Sequence, residues 1–319
     1  MCVLAAWGVS PLRAQSPDTT AAQLVLVARA YDRANQFDSA RRGYESAALV
    51  LPVIADWLLL RAAGVTPDSA SRVRDYAGVS IPAARARIPW TEAQARDRMG
   101  DPAGAARLYD SLGAAVDAFR NEATALALAA DSASRRALCA RIVTYIVAHS
   151  GSGNARAATE VLDRTCAPLP LASEIVVARS AAATGPLPRA LAAFDRLVTE
   201  PDAPALAPEE IDAYGVVLSR SHRDTDAVRV FGTLTQPGIT LPLAHTAQYQ
   251  RARALVAQGD KAQATRGLRS LIRAAPRDTA AAEALMLLAD LATDDRDDAT
   301  ARRDFLHETA ASLPCVHRL

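Results

Sequence analysis

The sequence predicts an all-α fold, built as a solenoid of antiparallel helical hairpins, and three observations carry that prediction. The first is composition. Of 319 residues half are hydrophobic but only 5% are aromatic, and glycine is scarce at 15. Alanine and leucine supply the apolar mass, while Val/Ile/Thr runs alternating with period two are hard to find, which favours helix over strand. The second is repetition. Alanines at 190, 227, 264 and 301 open the same pattern at a spacing of 37. The third is punctuation, since short polar breaks rich in Gly and Asp fall between the apolar-periodic segments.

The elements follow in order. Residues 24–52 read as one hairpin, with Ala28 and Tyr31 on the first helix, Ala40, Tyr44 and Ala47 on the second, and Pro52 closing it. An alanine, an aromatic or leucine four later and an apolar residue three after that share one helical face. The stretch 53–90 is divergent; within it Thr66-Pro67-Asp68-Ser69-Ala70 reads as an N-cap with Pro67 starting a helix. After the turn Gly100-Asp101 the face returns as Ala105, Tyr109 and Leu112. A helix pair covers 134–165 around the turn Gly151-Ser152-Gly153-Asn154. Then come Ala190, Phe194 and Leu197 with Pro201; Ala227, Phe231 and Leu234 with Pro237; Ala264, Leu268 and Leu271 with Pro276; and Ala301 and Phe305 with Pro314. Ala178, Gly215, Ala252 and Ala289 each precede the second-helix alanine by twelve residues, where a neighbouring helix must cross closely. The turns are Gly185-Pro186, His222-Arg223-Asp224, Gly259-Asp260 and the acidic run 294–298. This arrangement resembles the tetratricopeptide repeat, which implies a right-handed solenoid over residues 20–319. Soft boundaries are expected near 115–135 or 200–208, within one architecture rather than between two folds.

Charge narrows the partners. The chain carries 36 basic and 35 acidic residues, a net charge of +1, and the two signs alternate along the helices. A nucleic-acid binder would gather its arginines on one face, so no nucleic acid is expected. No later apolar run has the length of a transmembrane span. Residues 1–14 read as a shortened export signal. Cys2 to Val9 is apolar, and Leu12-Arg13-Ala14 before Gln15 suits a small-residue cleavage site, although the positive leading region is missing. The competing reading is an ordinary N-terminus. Export would place the chain in the periplasm.

The cysteines bear on the same question. Cys139 and Cys166 are equidistant from the turn at 151–154, so an antiparallel hairpin can bring them face to face. They either form a disulfide, as an oxidising compartment permits, or sit as two small buried apolar residues.

The search for chemistry assigns no catalytic, cofactor-binding or metal-binding residue. His149, His222, His245, His307 and His317 are isolated, and no Cys-x-x-Cys spacing occurs. Glu209-Glu210 suits the positive end of a helix beginning at Pro208. The acidic run 294–298 lacks the central glycine and distal glutamate of a calcium loop. Gly151-Ser152-Gly153 follows no strand, so it is no nucleophile elbow. Trp57, Tyr76 and Trp90, with Tyr109, can line a ligand-facing surface on which sugar rings stack, or can pack between hairpins.

A family resemblance completes the reading. Leu51-Pro52-Val53-Ile54-Ala55-Asp56-Trp57-Leu58, Ile88-Pro89-Trp90, and Ala284 to Leu291 resemble the helical N-terminal region of soluble lytic transglycosylases, over roughly residues 22–314. The resemblance implies a periplasmic scaffold that holds peptidoglycan or an envelope protein partner. Those enzymes carry a lysozyme-like domain after the helices, whose acid is a glutamate followed by serine. The one Glu-Ser here, Glu45-Ser46, lies inside a repeat helix, so no catalytic residue carries over. The stop soon after Pro314, with no polar capping helix, is what a truncated product would show. The expectation is therefore a non-catalytic scaffold, with a general envelope adaptor for protein–protein interaction as the alternative.

Overall fold

The computed structural model describes residues 17–129, 131–236 and 238–294, and the side chains of 22–293 within them. The export signal at 1–14, Cys2, Pro237, Asp295 to Asp298, the repeat at Ala301, Phe305 and Pro314, and His307, Cys315 and His317 lie outside the described residues. Among those described, every regular element is helical.

The chain divides into two compact units, Met1–Leu138 and Cys139–Leu319. The division falls inside one helix, slightly beyond the 115–135 stretch singled out in the sequence. Unit 1 contains α1 (Pro17–Arg33), α2 (Phe37–Val50), a 3-10 turn (Pro52–Ile54), α3 (Ala55–Gly64), α4 (Ser69–Ala77), α5 (Pro82–Arg85), α6 (Ile88–Arg98), α7 (Pro102–Ser111) and α8 (Ala115–Ala129). Helix α9 (Ser132–Ala148) crosses into unit 2. There follow α10 (Gly153–Cys166), α11 (Leu171–Thr184), α12 (Leu187–Thr199), α13 (Pro208–Arg220), α14 (Asp224–Thr233), α15 (Leu241–Ala257), α16 (Lys261–Ala274) and α17 (Thr279–Asp294). Within each unit helices pack chiefly against their neighbours in sequence. In unit 2 first helices also meet the next first helix, α11 with α13, α13 with α15 and α15 with α17; in the divergent stretch α4 and α5 are short, and α3 packs against α6 beyond them.

The hairpin turns share one construction. Asn35, Gly100, His222 and Gly259 all adopt positive φ, at 56°, 81°, 57° and 90°. Each sits five residues before the alanine of its second helix, namely Ala40, Ala105, Ala227 and Ala264. The next N–H then reaches back to the carbonyl five residues before it: Gln36 to Tyr31, Asp101 to Arg96, Arg223 to Leu218 and Asp260 to Leu255. A left-handed residue closed by that hydrogen bond is how a helix satisfies its last carbonyls before reversing. Gly185 holds the equivalent position before Ala190 but stays extended, with φ −88° and ψ −176°. Pro186 follows it, and a proline ring keeps the preceding residue in the extended region.

Local caps start the second helices. Asp101 accepts from Gly104 N–H at 2.8 Å, and Asp260 from Gln263 N–H at 2.9 Å. Ser152 accepts from Ala155 N–H at 3.1 Å. Glu210 accepts from the Ala207 N–H at 2.7 Å at the start of α13. Two local readings are corrected. Asp68 rather than Pro67 begins α4: its carboxylate accepts from Ser71 N–H at 2.7 Å, and Pro67 lies outside the helix. Leu112 does not continue the buried face of α7. Gly113, at φ 71°, ends the helix there, and Leu112 is left 38% exposed.

Small residues let the helices approach. Ala28, Ala178 and Ala252 are buried, and each lies sixteen residues before the large side chain of its hairpin: Tyr44, Phe194 and Leu268. Gly215 holds the same relation to Phe231, and a Cβ there would sit 2.5 Å from the ring. Ala289, the last of the series, is half-buried, and Ala301 and Phe305, expected opposite it, lie outside the described residues. Phe194, Phe231, Leu268 and Leu271 are almost fully enclosed, and each contributes roughly 2–3 kcal/mol of apolar burial. Cys139 and Cys166 are joined by a disulfide, with Cα atoms 6.0 Å apart, tying α9 to α10 within unit 2.

Candidate functional site

The candidate site is a groove of about 720 Å³ in unit 1, lined by one face each of α1, α3 and α6. Helical spacing explains its lining. Val25, Arg29 and Asp32 recur along α1; Trp57, Arg61 and Gly64 along α3; Trp90, Gln94 and Arg98 along α6, with Arg87 at its N-cap. Steps of three and four residues keep each set on one face. Tyr44 of α2 and Leu58 of α3 form the floor.

The groove is strongly basic. Arg29, Arg33, Arg61, Arg87 and Arg98 all line it, against the single carboxylate of Asp32. Arg98 donates to that carboxylate at 2.9 Å. The other four guanidiniums make no ion pair or hydrogen bond among the described residues. The Tyr44 side chain is only 2% exposed, and its hydroxyl also makes no hydrogen bond among the described residues. Burial pushes the Tyr44 phenol up, Asp32 adds to that, and Arg61, Arg29 and Arg98 pull it back down. Arg61, Arg29 and Arg98 thus act electrostatically on the Tyr44 phenol, which borders the groove.

Trp57 and Trp90 share this groove. Trp57 is 41% exposed, whereas Trp90 is half-buried, its ring edge-on to Tyr109 with centroids 5.4 Å apart. Tyr76 is not with them, which corrects the sequence-based grouping. Its hydroxyl donates to Glu92 at 3.2 Å, and its ring packs near Leu60, Val79 and Ala84. Glu92 is the hub of a structural network. Arg72, itself 4% exposed, donates to it at 2.9 and 3.2 Å and to the carbonyls of Thr66 and Pro67. Burial pushes the Glu92 carboxyl up, but hydrogen bonds from Arg72 and Arg96 outweigh it and leave the pKa below normal. Burial, together with Glu92, raises the Tyr76 phenol well above its ordinary value. With every partner engaged, this cluster braces α4 against α6 and offers little to a ligand.

Chemically, the groove is equipped to bind. Guanidiniums recognise carboxylate or phosphate in pairs of parallel hydrogen bonds, and indole faces take sugar rings or cations. Among the described residues no group of three or more His, Cys, Asp or Glu is placed to hold a metal ion. No single described helix is long and apolar enough to cross a membrane. Sequence reasoning singled out the two tryptophans but not the arginines. The signal was an arginine one turn from each indole with no acid to answer it, as in Trp57 and Arg61. No family model matches the sequence, and no curated protein matches it either.

Proposed function

We propose that the chain is a non-catalytic scaffold of the cell envelope. In this reading it is a right-handed, tetratricopeptide-like solenoid resembling the helical region of soluble lytic transglycosylases. The unit 1 groove is where it holds peptidoglycan or an envelope protein partner. The observation that carries the reading is one groove lined by four unpaired guanidiniums and two indoles, with Arg29 and Arg61 acting on the Tyr44 phenol at its border. Such a surface suits a ligand that brings both anionic groups and flat apolar faces. Peptidoglycan brings both, as carboxylates and sugar rings. The 37-residue interval and the recurrent left-handed turn support stacked hairpins, each burying its face against the next. The Cys139–Cys166 disulfide supports an oxidising compartment such as the periplasm.

Sedimentation with purified sacculi tests the proposal. The full chain should pellet with sacculi, and an Arg29→Gln/Arg61→Gln variant should pellet at least about tenfold less, at ~1.5–3 kcal/mol per charge-assisted bond. If sacculi carry down nothing while an envelope extract yields protein partners that the variant loses, the groove belongs to a general adaptor. If neither binds, the site assignment fails.

A further inference from the structure

An apolar surface of unit 1 adjoins the groove and shares Trp57 and Arg61 with it. Where α2 meets the segment Pro52–Gly64 the chain turns through 120°, and the corner carries four aliphatic side chains in the open. Leu49 is 87% exposed, Val53 86%, Val50 50% and Ile54 41%. Their relatives Leu51 and Leu58 point inward with the core, so the outward set is surplus to packing. Trp57 follows one turn later, 41% exposed, and Arg61 one turn after that. Glu45, one turn before Leu49, is paired with Arg41 at 2.8 Å. The one acid between residues 49 and 61 is Asp56, which is buried and takes up the Ser80 N–H, the Ser80 hydroxyl and the Ile81 N–H.

We infer that this corner docks unit 1 on an anionic phospholipid surface. The order along the chain is aliphatic tip, indole, guanidinium, which matches the order of a bilayer surface from acyl chains through the interface to the phosphates. The unpaired Arg61, with Arg29 and Arg33 nearby in the groove, meets the headgroups. Four aliphatic side chains present on the order of 400 Å² of apolar surface, whereas a stable protein interface takes about 800 Å² from each partner. A projecting corner of that size suits insertion among lipids better than a second protein. No single described helix is long and apolar enough to cross a membrane.

Vesicle sedimentation of the full chain tests this. Vesicles of phosphatidylcholine with one-quarter phosphatidylglycerol should bind it at least about tenfold more strongly than phosphatidylcholine alone. A Leu49→Ser/Val53→Ser variant should lose about tenfold or more of that binding. Arg61→Gln should lose about fivefold, only with the anionic vesicles. Both serine positions are exposed, so an unchanged thermal midpoint will show that the fold survives. Equal partition onto both vesicles, or full binding by the serine variant, overturns the inference. A wild-type dimer in solution that the serine variant dissolves overturns it too, and assigns the corner to a second copy of the chain. The Leu49→Ser/Val53→Ser arm is independent of what the groove holds, because neither residue lines it.

Discussion

The close approach of Gly215 to Phe231 turns the hairpin packing into a quantitative test. A methyl group at 215 would lie 2.5, 2.7 and 2.9 Å from three atoms of a ring that is fully enclosed and has no room to swing. Ordinary carbon contacts need about 3.5–4.0 Å, so Gly215→Ala overpacks this contact by about 1–3 kcal/mol. Alanine also gains about 1 kcal/mol of helix propensity over glycine. The net cost of the single substitution is therefore about 1 kcal/mol. Phe231→Leu removes part of the ring and costs about 1–2 kcal/mol, less than the ~3–5 of truncation to alanine. In that background the methyl at 215 meets vacated space, and its propensity gain should show through. Gly215→Ala then changes sign, to about 1 kcal/mol stabilising, giving a coupling of ~2 kcal/mol. The protein already contains the resulting pair one interval later, as buried Ala252 with buried Leu268. Urea unfolding of the wild type, both singles and the double, followed by circular dichroism, measures the coupling. Additivity within about 0.5 kcal/mol would refute the contact.

Two further outcomes are expected. Cys139→Ala/Cys166→Ala, or reduction, opens a loop spanning 27 residues and should cost ~3 kcal/mol; titration of denatured, unreduced protein should find neither thiol free. Asp212, whose carboxyl burial pushes up and whose Oδ1 has no partner, opposes folding when ionised. That opposition grows as pH rises through its raised folded pKa and is complete above it. Asp212→Asn should therefore raise the thermal midpoint at neutral pH, with the gain vanishing below about pH 3.8, where the wild-type carboxyl is protonated in both states. A gain that persists in acid would point to packing instead of charge.

The helical repeats were legible because their signals are local and periodic. Ala190, Phe194 and Leu197 are buried as their spacing requires, and Ala178 opposite them is buried too. The turns were legible as positions but not as conformations. His222 adopts the left-handed form that Gly259 adopts one interval later, while Gly185 does not, because Pro186 overrides glycine's freedom. Leu112 misled because the face was followed without the stop at Gly113. Tyr76 misled because its hydroxyl had a partner, Glu92, sixteen residues away on another helix. The groove arginines were hidden for a different reason. Arginines on amphipathic helices ordinarily read as solvated faces, and only the approach of α1, α3 and α6 gathers Arg29, Arg61 and Arg98 around Tyr44.

The central claim is that the unit 1 groove binds a ligand through Arg61 and its neighbours, beside Trp57 and Trp90. The most direct measurement is intrinsic tryptophan emission during titration with muropeptide fragments released from sacculi. A saturable change in the wild type, largely lost in Trp57→Phe and shifted to at least about tenfold higher ligand in Arg61→Gln, is the predicted result. Emission that stays flat in the wild type, or that saturates at the same ligand level in Arg61→Gln, would contradict it.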